Sequence, residues 1–197
     1  MMNFVLKKRR MFIMKNKVLA LAAICIAINM GLGQLASSVK LPIFLDSIGT
    51  VLAAVLMGPW VGALTGLVTN LIWGLLTSPV AAAFAPVAMV IGITAGFLAK
   101  KGMFKSIGGV IISGIVVTIF VTIVATPIRT YLFAGVTGSG ADFFVAYLSA
   151  VGNNLLESVA VTVIASNLAD KVVTCALVWL ILKRLPSRIK SQFPDVK

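Results

Sequence analysis

Gly66, Asn70 and Trp73 fall at i, i+4 and i+7 in a glycine-studded apolar stretch running from Lys40 to Gly74, so in a helix they share one face. An amide beside an indole suits a small heteroaromatic ligand, because the indole stacks on the ring and the amide reads its heteroatoms. The pair fits equally an interhelical hydrogen bond from Asn70 with Trp73 as an interface anchor. Asn153 or Asn154, with Glu157 three or four residues on, makes a second polar patch at helical spacing. Its carboxylate can accept from a ligand hydroxyl or ring N–H, or pair with Arg129 or Lys171. Asp46, shortly after Pro42, reads first as a cap for the helix that follows. Tyr131 and Tyr147 add aromatic surface able to line a pocket for an uncharged ring.

Several chemistries are excluded. The chain has no histidine, so neither a His-Glu-x-x-His metal helix nor a Ser-His dyad can be built. No GxxxxGK[ST] loop is present, and the chain does not hydrolyse ATP by itself. Cys25 and Cys175 are far apart, each in an apolar run, which implies buried thiols rather than a metal site or disulfide framework. Asp46, Asp142 and Asp170 lack the paired motif of an intramembrane aspartate enzyme. No catalytic residue, metal, cofactor or nucleic-acid platform is therefore expected.

The elements that must position these groups are membrane helices. Of 197 residues, 60% are hydrophobic and 11% charged, and the mean hydropathy is +1.10, well beyond the roughly 45–50% apolar content of soluble domains. Apolar runs are expected as spans at Val18–Val39, Ile43–Met57, Trp60–Leu76, Phe84–Ala99, Ile107–Phe133 and Val172–Leu182, the last extended backward through Leu168. Gly58-Pro59 separates the second from the third, and Pro127 should kink or end the fifth. A cleaved signal peptide is the alternative reading of the basic start, but the apolar run continues to Val39 without a small-residue cleavage site. Ala141–Ala165 is apolar enough for another helix. Asn153, Asn154, Glu157, Asn167 and Asp170, all within residues 135–170, favour a segment packed into the outer half of the bundle, entered through the flexible Gly135–Gly140 linker.

Charge sets the orientation. The net charge is +12, and fourteen of the seventeen Lys and Arg residues fall in three clusters: Lys7 to Lys17, Lys100 to Lys105, and Lys183 to Lys197. By the positive-inside rule all three are cytoplasmic. This gives a multi-pass cell-membrane protein in three parts: a basic amino-terminal segment at 1–17, a six-helix membrane domain at 18–185, and a basic tail at 186–197. Small residues recur four apart at Ala23, Ala27 and Gly31, at Gly62 and Gly66, and at Gly92 and Gly96. Such stripes let helix backbones approach closely. The glycine pairs suit packing within the chain, and the first stripe suits equally a face for another protein. No full-length internal repeat is visible, which argues against a transporter of two inverted halves.

The lysine-rich start, Ala23-x-x-x-Ala27, Leu41-Pro-Ile-Phe-Leu-Asp-Ser-Ile-Gly-Thr, Gly58-Pro-Trp-Val-Gly-Ala-Leu-Thr-Gly and the closing Asp170-Lys171…Leu185-Pro186 together resemble the substrate-binding S components of energy-coupling factor (ECF) transporters. The resemblance implies an all-α six-helix membrane protein that binds a vitamin or vitamin precursor at the extracellular side. It implies docking on a membrane coupling protein carried by two cytoplasmic ATPases, with Ala23, Ala27 and Gly31 on the docking face, and a ligand site that recruits residues near Asp46 and the Asn153–Glu157 patch. Within the family the chain looks most like members assigned to hydroxymethylpyrimidine or pyridoxine. The competing expectation is a stand-alone secondary transporter or channel with Asp46, Glu157 and Asp170 as ion sites.

Overall fold

Asn29 explains how the bundle assembles. In a computed structural model, which gives the fold of residues 2–186 and of residue 193 with side chains from residue 16 onward, it lies on the long first helix α1 (Met2–Ser38) and is fully buried. Its Oδ1 accepts from the backbone N–H groups of Gly49 (2.7 Å) and Thr50 (3.3 Å), in the first turn of α2 (Ile48–Met57). Its Nδ2 donates to Thr50 Oγ1 (2.9 Å) and to Thr69 Oγ1 (3.2 Å) on α3 (Pro59–Leu76). Helix starts leave N–H groups without intrahelical partners, and Ser47, at the N-cap of α2, makes no side-chain cap bond. A residue of α1 therefore supplies the cap and ties three helices together.

Asp46 consequently does not cap the second helix. That helix also begins at Ile48 rather than Ile43, and the preceding residues form a loop. With 10 residues α2 is about 15 Å long, half the ~30 Å hydrocarbon thickness. It never has to meet lipid, because every residue from Ile48 to Leu56 is buried. A helix apolar all round belongs inside a bundle, and α2 packs on α1, on α3, on α5 (Ala85–Lys100) and on α8 (Leu155–Arg184).

Close approach follows from the small residues. A Cβ on Gly62 would meet Ala54 of α2, one on Gly92 would enter the Gly62–Ala63 backbone, and one on Gly66 would meet the Ala88 carbonyl at 2.6 Å. Both glycine pairs therefore serve packing within the chain. The Ala23, Ala27 and Gly31 stripe is exposed, with nothing within 4 Å of where a Gly31 Cβ would sit.

A short α4 (Pro79–Ala83) bridges α3 and α5. The Met103–Lys105 turn leads into α6 (Ile107–Pro127), where Ser106 caps by accepting from Gly109 N–H at 3.2 Å. The α-helix ends at Pro127, where the sequence places a kink or an end, and continues as one π turn, Ile128–Leu132. The segment expected to pack as one outer piece at Ala141–Ala165 divides instead. Its first part is α7 (Asp142–Ala150), and its second is the start of α8, which is thus 30 residues long rather than beginning near Leu168. Asn154 caps it by accepting from Glu157 N–H at 2.9 Å.

All regular structure among the described residues is helical. Four helices are long and apolar enough to cross a membrane, Asn16–Ser38, Pro59–Leu76, Ile107–Leu132 and Leu155–Arg184, and α2 and α5 are shorter apolar helices. Apart from residues 186 and 193, the basic tail at 186–197 lies outside the described residues, as do the side chains of Lys7, Lys8, Arg9, Arg10 and Lys15.

Asn29→Leu would leave two N–H groups and two threonine hydroxyls without their partner. It should lower the unfolding free energy of the detergent-solubilised protein by about 2 kcal/mol or more, read by chemical or thermal denaturation. Gly31→Ala, in open space, should leave that stability unchanged or slightly higher.

Candidate functional site

A cavity of about 300 Å³ opens toward the end of the bundle where α1, α3 and α6 finish and α5 and α8 begin. This lies within the size range of small-molecule sites. Gly33, Gln34 and Ser37 line it from α1, Asn70, Trp73 and Thr77 from the end of α3, and Val87, Ala88 and Ile91 from α5. Val121 and Ala125 of α6, Arg129 of the π turn, and Val163, Asn167 and Lys171 of α8 complete the walls. Two loops close over them, residues 39–47 and residues 133–141.

The first loop is fastened by a buried charge. Asp170 is wholly buried and accepts through Oδ1 from the N–H groups of Phe44 (3.0 Å) and Leu45 (2.8 Å), while Lys171 Nζ donates to its Oδ2. Lys171, itself 2% exposed, also donates to Ser47 Oγ at 2.8 Å. Leu45 takes a left-handed φ of 53°, a strain that the Asp170 acceptor holds in place. The second loop wraps its own carboxylate. Asp142 accepts from Arg129 at 2.6 Å, from Thr137 N–H and hydroxyl, from Gly138 N–H and from Ser139 Oγ. Arg129 Nε also donates to the Gly135 carbonyl at 3.0 Å. The loops meet where Lys40 Nζ donates to the Gly138 carbonyl at 2.7 Å.

Asp46, Asn70 and Trp73 are brought together on this cavity. A Cβ at Gly33 would overlap the Trp73 ring and lie 2.9 Å from the Asp46 Cβ, so the indole and the Asp46 side chain both converge on this glycine of α1. Asn70 combines both of its sequence readings: it lines the cavity, and its Nδ2 donates to the Ala81 carbonyl of α4 at 3.1 Å. Asp46 keeps 30% of its side-chain surface open and reaches Lys171 Nζ only at 3.9 Å, beyond hydrogen-bond distance. Burial pushes its carboxyl above the usual carboxylate range, and the Lys171 ammonium draws it partly back.

The other expected site residues lie elsewhere. Asn154 is spent as the cap of α8, Asn153 donates to the Leu148 carbonyl at 3.0 Å, and Glu157 is exposed in the first turn. Tyr131 and Tyr147 point outward, 76% and 65% exposed. None of the five lines the cavity. Glu157 forms no ion pair with Arg129 or Lys171, whose partners are Asp142, Asp170 and Asp46. Gln34, Asn167, Arg129 and Lys171 are wall residues that were not singled out as ligand contacts. Arg129 and Lys171 were legible as possible ion-pair partners of Glu157, and Lys171 also as part of the closing Asp170-Lys171 landmark, while Asn167 counted only among the polar residues of the segment before the last span.

The family model described as "ECF transporter, substrate-specific component" matches residues 17–182. No curated protein and no solved structure matches the chain.

Asp170→Leu would strand the buried Lys171 ammonium and two loop N–H groups. The expected cost is about 3–5 kcal/mol in unfolding free energy, with faster proteolysis between Lys40 and Leu45. Adding Lys171→Met should restore a large part of that loss, and a double variant as unstable as the sum of the singles would show that the two side chains are not coupled.

Proposed function

The chain belongs to the family of ECF transporter substrate-specific components, and from that premise we propose that it captures a small vitamin or vitamin precursor at the extracellular side and delivers it through a coupling protein carried by two cytoplasmic ATPases. The observation that carries this is the cavity: closed over by two loops, walled by five of the apolar helices, and provided with a few placed polar groups among Trp73, Phe84 and aliphatic side chains. It lies at the end of the bundle away from the basic Lys100–Lys105 turn, which the positive-inside rule assigns to the cytoplasm. A small hydroxymethylated aromatic heterocycle, such as hydroxymethylpyrimidine or pyridoxine, suits an amide, a carboxylate and an indole at this volume.

The family makes the chain a transport subunit rather than an enzyme, embedded in the membrane with a small-molecule substrate and ECF-module partners. The exposed Ala23, Ala27 and Gly31 stripe is the proposed docking face for the coupling protein. It lies on the first span, of which little is buried within the chain. As a stand-alone carrier, the chain would need several ionisable groups free to change partners. Of the three expected, only Asp46 stays open on the cavity: Glu157 is exposed at a helix start, and Asp170 is committed to two backbone N–H groups and Lys171.

Proteoliposomes decide between the two. Uptake of the ligand that co-purifies with the chain, identified by native mass spectrometry, should require coupling protein, ATPases and ATP, and gradient-driven uptake by the chain alone would overturn the proposal. Ala27→Leu should abolish capture of the coupling protein from solubilised membranes while leaving thermal stability and ligand binding unchanged, because that face touches nothing in the chain itself.

A further inference from the structure

The charges around the cavity do not balance one another equally. Arg129 and Lys171 each hold a carboxylate at hydrogen-bond distance, Asp142 and Asp170 respectively. Asp142 and Asp170 in turn are saturated by backbone and hydroxyl donors. Lys40, on the same loop as Asp46, is exposed and committed to the Gly138 carbonyl. Asp46 alone among the charged groups of the wall has no hydrogen-bonded counter-charge, its nearest cation being the already paired Lys171 at 3.9 Å. Lys171 is thus shared between Asp170 and Asp46, and the carboxylates Asp46, Asp142 and Asp170 outnumber the cations Arg129 and Lys171 by one.

The neutral groups lean the same way. Asn70 Nδ2 is fixed on the Ala81 carbonyl and Asn167 Nδ2 on the Val163 carbonyl, at 3.1 and 2.9 Å. A carbonyl accepts only from the amide nitrogen, so in both residues the free end is the oxygen. Neither oxygen has a partner among the described residues. Two amide acceptors and a carboxylate thus remain open, and the Trp73 ring lies against Gly33 beside Asp46. A carboxylate attracts a cation by its charge, and an indole beside it suits a flat ring.

We infer that the substrate carries a cationic or readily protonated nitrogen, as in an aminopyrimidine or a pyridinium ring, which sits on Asp46 with the ring against Trp73 and its N–H groups toward Asn70 and Asn167. An aminopyrimidine meets a carboxylate with its ring nitrogen and exocyclic amine side by side, the same two-pronged geometry that a guanidinium uses. The anionic members of the same ring classes would place like charge on Asp46, and the cations that line the cavity, Arg129 and Lys171, are already paired with Asp142 and Asp170. This inference rests on the reading of the cavity as the substrate site and goes further by fixing the sign of the ligand's charge.

Calorimetric titration of the full chain in lipid nanodiscs tests it with one ring in three charge states: 1-methylnicotinamide, a pyridinium, as cation, nicotinamide as neutral and nicotinate as anion. Hydroxymethylpyrimidine and thiamine serve as larger protonatable and cationic probes. Affinity should rank cation above neutral above anion, and at least one of the two larger probes should bind more tightly than any nicotinyl compound. Asp46→Asn, nearly isosteric, should weaken the cationic probes by about ten- to a hundredfold and leave nicotinamide unchanged. Without any substitution, the wild-type affinity for thiamine should fall as pH is lowered and Asp46 takes up its proton, whereas that for nicotinamide should not. A neutral or anionic probe binding tightest, or cation binding insensitive to both Asp46→Asn and pH, overturns the inference alone. Failure of every probe overturns it too, and if the chain then also fails to capture a coupling protein and ATPases, the transport reading falls with it.

Discussion

One buried ion pair organises the end of the molecule where a ligand would enter. Asp170 and Lys171 are neighbours on α8, both removed from water, and burying either charge alone would be prohibitive. The pair is tolerable because the remaining hydrogen-bonding capacity is used: two N–H groups of the loop before α2 on one side and Ser47 on the other. The loop is thereby held across a sequence separation of 126 residues, with Leu45 kept in a backbone conformation that it would not adopt alone. What looks like an electrostatic cost is the fastening that gives the cavity its cover.

The rest of the bundle supplies a rigid frame for that fastening. Asn29 uses its amide on both sides, capping α2 and reaching α3, so the short buried helix cannot slide without breaking several bonds at once. Gly62, Gly66 and Gly92 let α3 approach α2 and α5 until backbone meets backbone, and Gly114 does the same for α6 against Val172 of α8. Because α2 is too short to span and wholly enclosed, its N-terminus lies inside the protein, directly after Asp46 and Ser47 on the cavity wall.

Legibility in the sequence followed the range of the interactions. Gly58-Pro59 and Pro127 marked helix boundaries correctly because prolyl geometry is a local property, whereas the apolar runs missed the starts of α1, α2 and α8, since hydropathy does not register where a helix begins. Asp46 and Asn154 were harder, since a polar residue before a helix looks the same whether it caps that helix or faces a cavity. Asn154 caps and Asp46 does not. The outer polar patch around Glu157 has helical spacing, but the polar face of a helix start is satisfied as well by its own cap as by a ligand. Asn29 was invisible as a cap because its beneficiary is twenty residues away on another helix.

By itself the sequence determined the membrane class, the all-helical character and the family, all of which depend on composition and short-range pattern. Only the tertiary structure decided which polar groups are spent and which remain open. Arg129, Lys171, Asp142 and Asp170 cancel in pairs, while Asp46 stays free beside Trp73. The physical reason is that a charge's partner inside a membrane protein is chosen by proximity in the folded bundle. Those distances are fixed by helix packing that no local pattern encodes.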